Sequence, residues 1–435
     1  MVACVNKVLN IFSLVRKIFS KEYYGFIGLH TYIEGEEMLK VESLFHQPNG
    51  SIVREYEELF SEQIGGGSSV SYASARMGFF SLLQAFNVQH NDEIILPAAT
   101  CSVMVNAVLR VGAIPIYSDI DINTFGSSIE GIKKVVSERT KVIVAQHSFG
   151  IPCDIQPIID FAKDKDIFVI EDCALSLGSK RNGIKVGNFG NASIFSTDRS
   201  KPLNTVTGGL VYSTDISLIK KLRNMSVDID DLSSEKQKSI FAYLYYESKY
   251  GNPLNTIRIL TVFRFFSIFS SKFDAFLVND FSSTLLDSCS YSYPSRLPSF
   301  LAYLGICEIK RWKSVSSQRR EMLSSFIDIN TKDTISFPKA YFDDSVEIIP
   351  HRIVWTQENG PLQRKMLSSF IDISWTWFLK PIVATDEPLE SFFYIKGSCP
   401  KSESIGFGMV NLPIPIDEGV NTYIGKIILK VSGVG

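Results

Sequence analysis

FSTDRSKPLNTVTGGLVYST, residues 195–214, places one lysine, Lys201, in a polar loop closed by two glycines between two short apolar runs. In most proteins such a lysine is a solvated surface charge. The sequence before it suggests another role. From about Ser69 to Asp215 two kinds of segment alternate. ARMGFFSLLQAF (75–86), SVMVNAVLRVG (102–112), IEGIKKVVSE (129–138) and DIQPIIDFAKDK (154–165) have helical periodicity. EIILPA (93–98), IPIYSDI (114–120), KVIVAQH (141–147) and IFVIED (167–172) are short runs, apolar on both parities. Strands buried on both faces and separated by helices predict βαβ units and a mostly parallel sheet. ASIFS (192–196) and GGLVYST (208–214) follow with no helix between them. In open sheets of this class, ligands bind beyond the carboxyl ends of the strands. Asp119, His147 and Asp172 lie at such ends, and the Lys201 loop lies beside them.

The bulk properties narrow the options. A chain of 435 residues is long for one core and predicts two lobes. Its net charge of -2, with no long run of one sign, gives no electrostatic footprint for nucleic acid. The seven cysteines are scattered without a CxxC pair, and the five histidines are dispersed. This argues for a reducing compartment and against a disulfide framework or a metal site. No segment reaches the length of apolar sequence that spans a bilayer. At the start, Val5, Val8, Leu9, Phe12, Val15 and Phe19 fall at helical spacing among Lys7, Arg16, Lys17 and Lys21. This segment lacks the compact apolar core and cleavage site of a signal peptide. A basic amphipathic helix over residues 1–22 packs on protein or lies on a membrane surface. The expected organisation is an N-terminal helix and arm (1–48), a large α/β domain (49–290) and a smaller α+β domain (291–435). Residues 216–290 are an irregular, aromatic-rich helical part of the large domain. The octapeptide MLSSFIDI occurs at 322–329 and again at 366–373, but its flanks do not match, so a structural repeat is not expected.

A lysine amine acts as a covalent catalyst by forming a Schiff base with an aldehyde, for which it must lose its proton. Pyridoxal phosphate is the common aldehyde partner, and it needs three supports. These are a carboxylate against the pyridine nitrogen, a helix N-terminus with hydroxyls for the phosphate, and a wall against the ring. Asp172 ends the IFVI strand, where alone it reads as a turn or capping residue. Ser74-Ala75-Arg76 opens the first helix of the alternating region, where alone it reads as an ordinary N-cap. Ser196 precedes Lys201 by five positions. The combination is what points to the cofactor.

These blocks resemble the DegT/DnrJ/StrS-type sugar aminotransferases. VIEDCALSLGSKRNGIKVGNFGNASIFSTDRSKPLNTVTGG resembles their run EDAAQAxG, VGxxGDxxxFSF, K and GG. DEIILPAATCSVMVNAVLRVGAIPIYSDID resembles DEVIVPxxTFxATxxAIxxxGAxPVFVDVD, and RTKVIVAQHSFGIPCDI resembles RTKAIIPVHLYGxPADM. The small-domain opening YPSRLPSFLAYLGICEIKRW and the later MVNLPIPI match in order. The resemblance covers roughly residues 50–430. It implies the fold type I architecture of pyridoxal-phosphate aminotransferases. It also implies that Lys201 is the Schiff-base lysine, that Asp172 faces the pyridine nitrogen and that Ser196 contacts the phosphate. Ser74, Ala75 and Arg76 would form the phosphate cup, and His147 would lie near the cofactor.

Several positions depart from the family. Leu175 replaces a glutamine near the cofactor hydroxyl, and Leu177 replaces a histidine. Cys101 replaces a stacking aromatic, Thr207 the glutamate of GEGG, and Ala75-Arg76 a Gly-Thr pair. A branch that dehydrates deoxysugars carries histidine in place of the lysine, and Lys201 argues against it.

The expected activity is amination of a nucleotide-linked keto-sugar with glutamate as donor, in surface polysaccharide or related glycan synthesis, by a cytoplasmic homodimer. Two alternatives stay open. One is a pyridoxal-phosphate enzyme on a non-sugar substrate. The other is a non-catalytic protein on this scaffold, membrane-attached through residues 1–22. A substrate arginine at Arg296 or Arg352 is also open.

Overall fold

The computed structural model describes residues 30, 33, 35–250, 291–329, 335–369, 371, 373 and 376–414. The N-terminal amphipathic helix and most of the aromatic-rich stretch therefore lie outside the described residues. Seven strands form the central sheet: β1 (Ser68–Tyr72), β2 (Glu93–Pro97), β3 (Ile114–Ser118), β4 (Thr140–Gln146), β5 (Phe168–Asp172), β6 (Ala192–Ser196) and β7 (Gly209–Ser213). Their spatial order is β1-β7-β6-β5-β4-β2-β3. β7 runs against both of its neighbours, and the other pairings, from β6 to β3, are parallel. The single reversal follows from the sequence, since the β6–β7 connection lacks the crossover helix that a parallel return needs.

Helices α1 (Glu36–His46), α2 (Gly50–Ile64), α3 (Ala75–Ala85), α4 (Ser102–Arg110), α5 (Ile129–Val135) and α6 (Gln156–Lys163) precede β5 in the chain. Alternate residues of the parallel strands enter different cores. Ile94, Leu96, Val142, Val144 and Ile170 join the cluster on one face, while Ile95, Ile143 and Ala145 join a second with Ile132 and Ile158 on the other. Both faces are thus covered, which is why the strands read as unbroken apolar runs. At about 25 cal/mol per Å² of apolar surface removed from water, this two-sided burial is the main driving force for the lobe.

After β7 come α7 (Ile216–Val227) and α8 (Ser234–Tyr250). α9 (Ser299–Ile329) is a 31-residue helix. Its first half, including Phe300, Leu304 and Trp312, packs in the large-lobe core, and its last turns, with Met322 and Phe326, enter the core of the small lobe. That second core also holds β8 (Arg352–Thr356) paired with β9 (Met409–Pro413), near α10 (Gly360–Leu367) and α11 (Pro400–Gly408). The lobes are stitched together where Ile382 and Val383 pair in parallel with Thr100 and Cys101.

The two MLSSFIDI copies differ. The first is helical throughout as the end of α9, whereas among the described residues of the second only Met366 and Leu367 are helical. Among the described residues, no helix is long and apolar enough to cross a membrane.

Candidate active site

The carboxyl ends of β4, β5 and β6 and the start of α3 open onto one cavity of about 160 Å³. Its large-lobe wall carries Ser74, Ala75 and Arg76 from the head of α3, Gln146 and Asp172 from adjacent strand ends, Ala174 and Leu175 just beyond, and Ser196 and Lys201 from the β6 side. Cys101 closes one side, and Trp377, Phe378 and Ala384 come from the small lobe. Of the nine residues proposed from sequence, the cavity brings together eight.

His147 is the exception, and it does not line this wall. It is fully buried; Nε2 donates to Glu171 at 3.1 Å, while Nδ1 accepts the Cys153 N–H at 3.0 Å. The reason is parity: Gln146 pairs with Asp172 in the register and shares its face of the sheet, so the next residue turns away. His147, Glu171 and Cys173 do offer metal-ligand atoms within 4.8 Å of one another. The Glu171 carboxylate, however, already accepts the N–H groups of Gly187, Phe189 and Gly190, so this cluster reads as a buried structural network.

The loop of residues 197–208 holds Lys201 through its own bonds. Thr197 and Thr205 share a hydroxyl–hydroxyl bond of 2.6 Å, and the Arg199 N–H donates to Val206. Val206 has φ 66°, a conformation that costs a β-branched residue about 1–3 kcal/mol. Its N–H is held by the Asn204 side chain at 2.8 Å. Asn204 is anchored in turn: its N–H donates to Glu308 of α9 at 3.1 Å, and its carbonyl accepts from His30 Nε2 at 2.8 Å. Thr207, which stands where the family has glutamate, donates its hydroxyl to the carbonyl of Ala73 at 2.7 Å. That bond ties the lysine loop to the residue that precedes Ser74 and the head of α3.

The electrostatics suit an amine and a carboxylate held for chemistry. Burial lowers the pKa of Lys201; Asp198, Cys101 and Asp172 oppose this and Arg352 adds to it. The ammonium lies 4.7 Å from the centre of the Trp377 ring. Burial raises the pKa of Asp172, opposed by the Ala174 N–H, which donates to Oδ1 at 3.0 Å, and by Lys201 and His147. Burial also raises the pKa of the Cys101 thiol.

Of the two arginines left open, Arg296 pairs with Asp231 at 2.8 Å on the surface, away from the cavity. Arg352 is buried and donates to Asn411 Oδ1 at 3.2 Å, and the same oxygen accepts the Trp377 N–H. It therefore stands one side chain behind the wall. Leu177 is a core residue. Sequence reasoning missed Gln146, Trp377 and Phe378. Gln146 carried one signal, a polar residue closing an otherwise apolar strand, whereas the aromatic pair carried none.

The cavity fits pyridoxal phosphate in donor set and placement. The Ala75 and Arg76 amides head an 11-residue helix, and the first turn of a helix is where a phosphate binds. The indole N–H of Trp377, also on the wall, is buried without a hydrogen-bond partner among the described residues.

Comparison with known proteins agrees with this geometry. A model of the DegT/DnrJ/EryC1/StrS aminotransferase family matches residues 33–249. The chain is 34% identical over 178 residues to a GDP-perosamine synthase of Escherichia coli O157:H7, covering 41% of this chain and 49% of that protein. It is 36% identical over 162 residues to a UDP-N-acetyl-3-dehydro-alpha-D-glucosamine 3-aminotransferase of Acidithiobacillus ferrooxidans, covering 37% and 44%. These matches span about half the length of the curated relatives. In fold, the chain is similar to the E. coli GDP-4-keto-6-deoxy-D-mannose-3-dehydratase with bound hydrated PLP, with a TM-score of 0.69 at 18% identity over 94% of this chain and 99% of that one.

Proposed function

We propose that this chain, which belongs through residues 33–249 to the DegT/DnrJ/EryC1/StrS aminotransferase family, is a pyridoxal-phosphate-dependent transaminase that aminates a nucleotide-linked keto-sugar. The observation that carries the reading is the meeting of Lys201, Asp172 and the Ser74–Arg76 helix head in one cavity, from three separate elements.

Each residue has a defined task. The amides at the head of α3, with the hydroxyls of Ser74 and Ser196, would hold the phosphate. The Asp172 carboxylate would sit against the pyridine nitrogen and keep a proton there. A buried carboxylate with a raised pKa gains from such a cationic partner. The bound cofactor would supply an electron sink. Lys201, its pKa lowered by burial, would be the amine that carries the cofactor and, once released, the group that moves a proton at the reacting carbon. Trp377 and Phe378 would shield that carbon from water.

The names of the relatives support the nucleotide-sugar class. Glutamate as donor, a homodimer, a cytoplasmic setting and a role in surface polysaccharide complete the reading. Lys201 favours amination over dehydration. The test is uptake of pyridoxal phosphate by the purified chain, with borohydride reduction and peptide mapping, followed by amination of a panel of nucleotide keto-sugars with glutamate. A visible absorbance band and a reduced label on Lys201 are expected. A colourless protein, or label on other lysines, overturns the reading.

A further inference from the structure

The lysine loop is fastened from outside the cavity by a histidine with no task so far. His30 is fully buried, and each of its ring nitrogens faces an acceptor: Nδ1 the Glu247 carboxylate of α8, and Nε2 the Asn204 carbonyl at 2.8 Å. The other oxygen of Glu247 accepts the Tyr243 hydroxyl at 2.7 Å. A carbonyl and an ionised carboxylate only accept, so both bonds stand together only while one proton lies between His30 and Glu247 and another sits on Nε2. Glu308 of α9, itself beside Arg311, and Arg199, beside Tyr243, add their charges to this cluster. Burial pulls the pKa of His30 down, but Glu247, Glu308 and the Asn204 carbonyl together outweigh it, and the net direction is upward from 6.5.

What the ring holds is the strained point of the loop. The Asn204 side chain grips the N–H of Val206, whose φ is 66°, and Lys201 lies three residues before Asn204. Loss of the shared proton forces a choice between the two bonds. A proton kept on Nδ1 preserves the bond to the anion, the stronger of the two. Nε2 then turns a lone pair toward the Asn204 carbonyl, and the two repel.

We propose that His30 is a positioning residue for Lys201: doubly protonated, it pins the Asn204 turn and with it the lysine loop, and on losing a proton it lets that turn go. The clamp is a property of the chain alone, and its consequence for the cofactor rests on the reading of Lys201 above. Because the folded-state pKa is raised, fastening is complete below 6.5 and is lost as pH rises through a midpoint above it. That slope opposes the gain of neutral Lys201 with pH, which keeps the two effects apart.

Glu247→Gln is the reference for the test. Its amide would donate to Nδ1 and accept from Tyr243, so a neutral ring with its proton on Nε2 keeps every bond at any pH. The first measurement is deuterium exchange over residues 197–208 in the cofactor-free full chain. It is taken as the ratio of wild type to Glu247→Gln at each pH, which cancels the intrinsic rise of exchange. The ratio should be constant below pH 6.5 and climb about tenfold through the midpoint, the lower range for a hydrogen bond to a charged group. The second is uptake of pyridoxal phosphate, followed by the visible band. The same ratio cancels the ionisations of cofactor and Lys201, and it should fall over the same interval by up to about tenfold. A merely structural pair gives a constant offset. An exchange ratio that is flat wherever both chains stay folded, or that climbs toward low pH, therefore overturns the inference. A ratio that climbs in exchange but stays flat in uptake overturns the positioning role. If Glu247→Gln loses its cooperative melt, His30→Gln replaces it as reference, because that amide donates to Asn204 at every pH. A wild-type chain that takes up no cofactor at Lys201 overturns the cofactor reading and the positioning role with it, while a climbing exchange ratio would still establish the clamp.

Discussion

The two walls of the cavity are built on different principles. The large-lobe wall is a row of strand and helix ends, and its residues arrive in chain order: 74–76 at the head of a helix, then 146, 172 and 196 at successive carboxyl ends. The small-lobe wall is a stretch of irregular backbone, Trp377 to Ala384. It is held in place by long-range bonds, among them Ile382 and Val383 paired with Thr100 and Cys101, and the Asn411 side chain gripping the backbone of Trp377 at both ends. The first wall inherits its geometry from a repeating local unit. The second exists only once the whole fold has closed. The contrast suggests a division of labour in which the regular wall handles the cofactor and the irregular wall faces the substrate.

The sharpest attempt to break that division is Lys201→Ala. Amination should fall by about 10⁴-fold, the upper range for loss of a positioned proton-transfer group, in a turnover assay with the best keto-sugar. Activity within tenfold of wild type would remove the regular wall from the chemistry. Next is Asp172→Asn, which keeps shape but removes charge. Turnover should drop by about 10²-fold, as for loss of one fixed electrostatic stabiliser, and an unchanged rate would mean the carboxylate does not face the ring nitrogen. Trp377→Ala probes the other side. It should raise the KM for the sugar by up to about tenfold and weaken cofactor uptake by no more than about threefold, the share of one lost indole N–H. Weakened uptake with unchanged KM would reverse the assignment of the walls.

The smallest effect concerns pH. Burial lowers the pKa of Lys201, so without cofactor its reaction with an amine-directed reagent should rise with pH through a midpoint below 10.5, the value for a free lysine. The sign follows from charge: desolvation disfavours the ammonium, so the neutral amine appears at lower pH. A midpoint at or above that value would mean the amine is solvated.

The same contrast explains what could be read from the sequence. The alternation between Ser69 and Asp215 located six of the seven sheet strands to within a residue or two, because strands buried on both faces are unbroken apolar runs. Asp172 and Lys201 were legible because a strand end and a helix-free connection are local features. β1 was missed, since SSVSY is polar on paper and is buried only by the packing of its neighbours. His147 was placed at the site because it follows a strand, yet one step of parity turns it into the interior, while Gln146 one residue earlier faces the cavity. Trp377 and Phe378 could not be found from local pattern, since what places them is pairing across the lobes. The two MLSSFIDI copies make the same point. Eight identical residues complete a long helix in one place and stop being helical after two residues in the other, so intrinsic propensity did not decide either outcome.

The anchoring of Asn204 has a consequence for how the protein is made. Asn204 is tied to Glu308, 104 positions further along the chain. A ribosome that has reached residue 250 has delivered every strand of the central sheet, both glycines of the lysine loop and Lys201 itself. It has delivered neither that anchor nor the wall at Trp377. Contacts between distant parts of a chain form late, and domains assemble as units during synthesis. A chain truncated at residue 250 would therefore present a complete central sheet whose lysine loop keeps its own bonds and its ties to His30 and Ala73 but lacks the tie to Glu308.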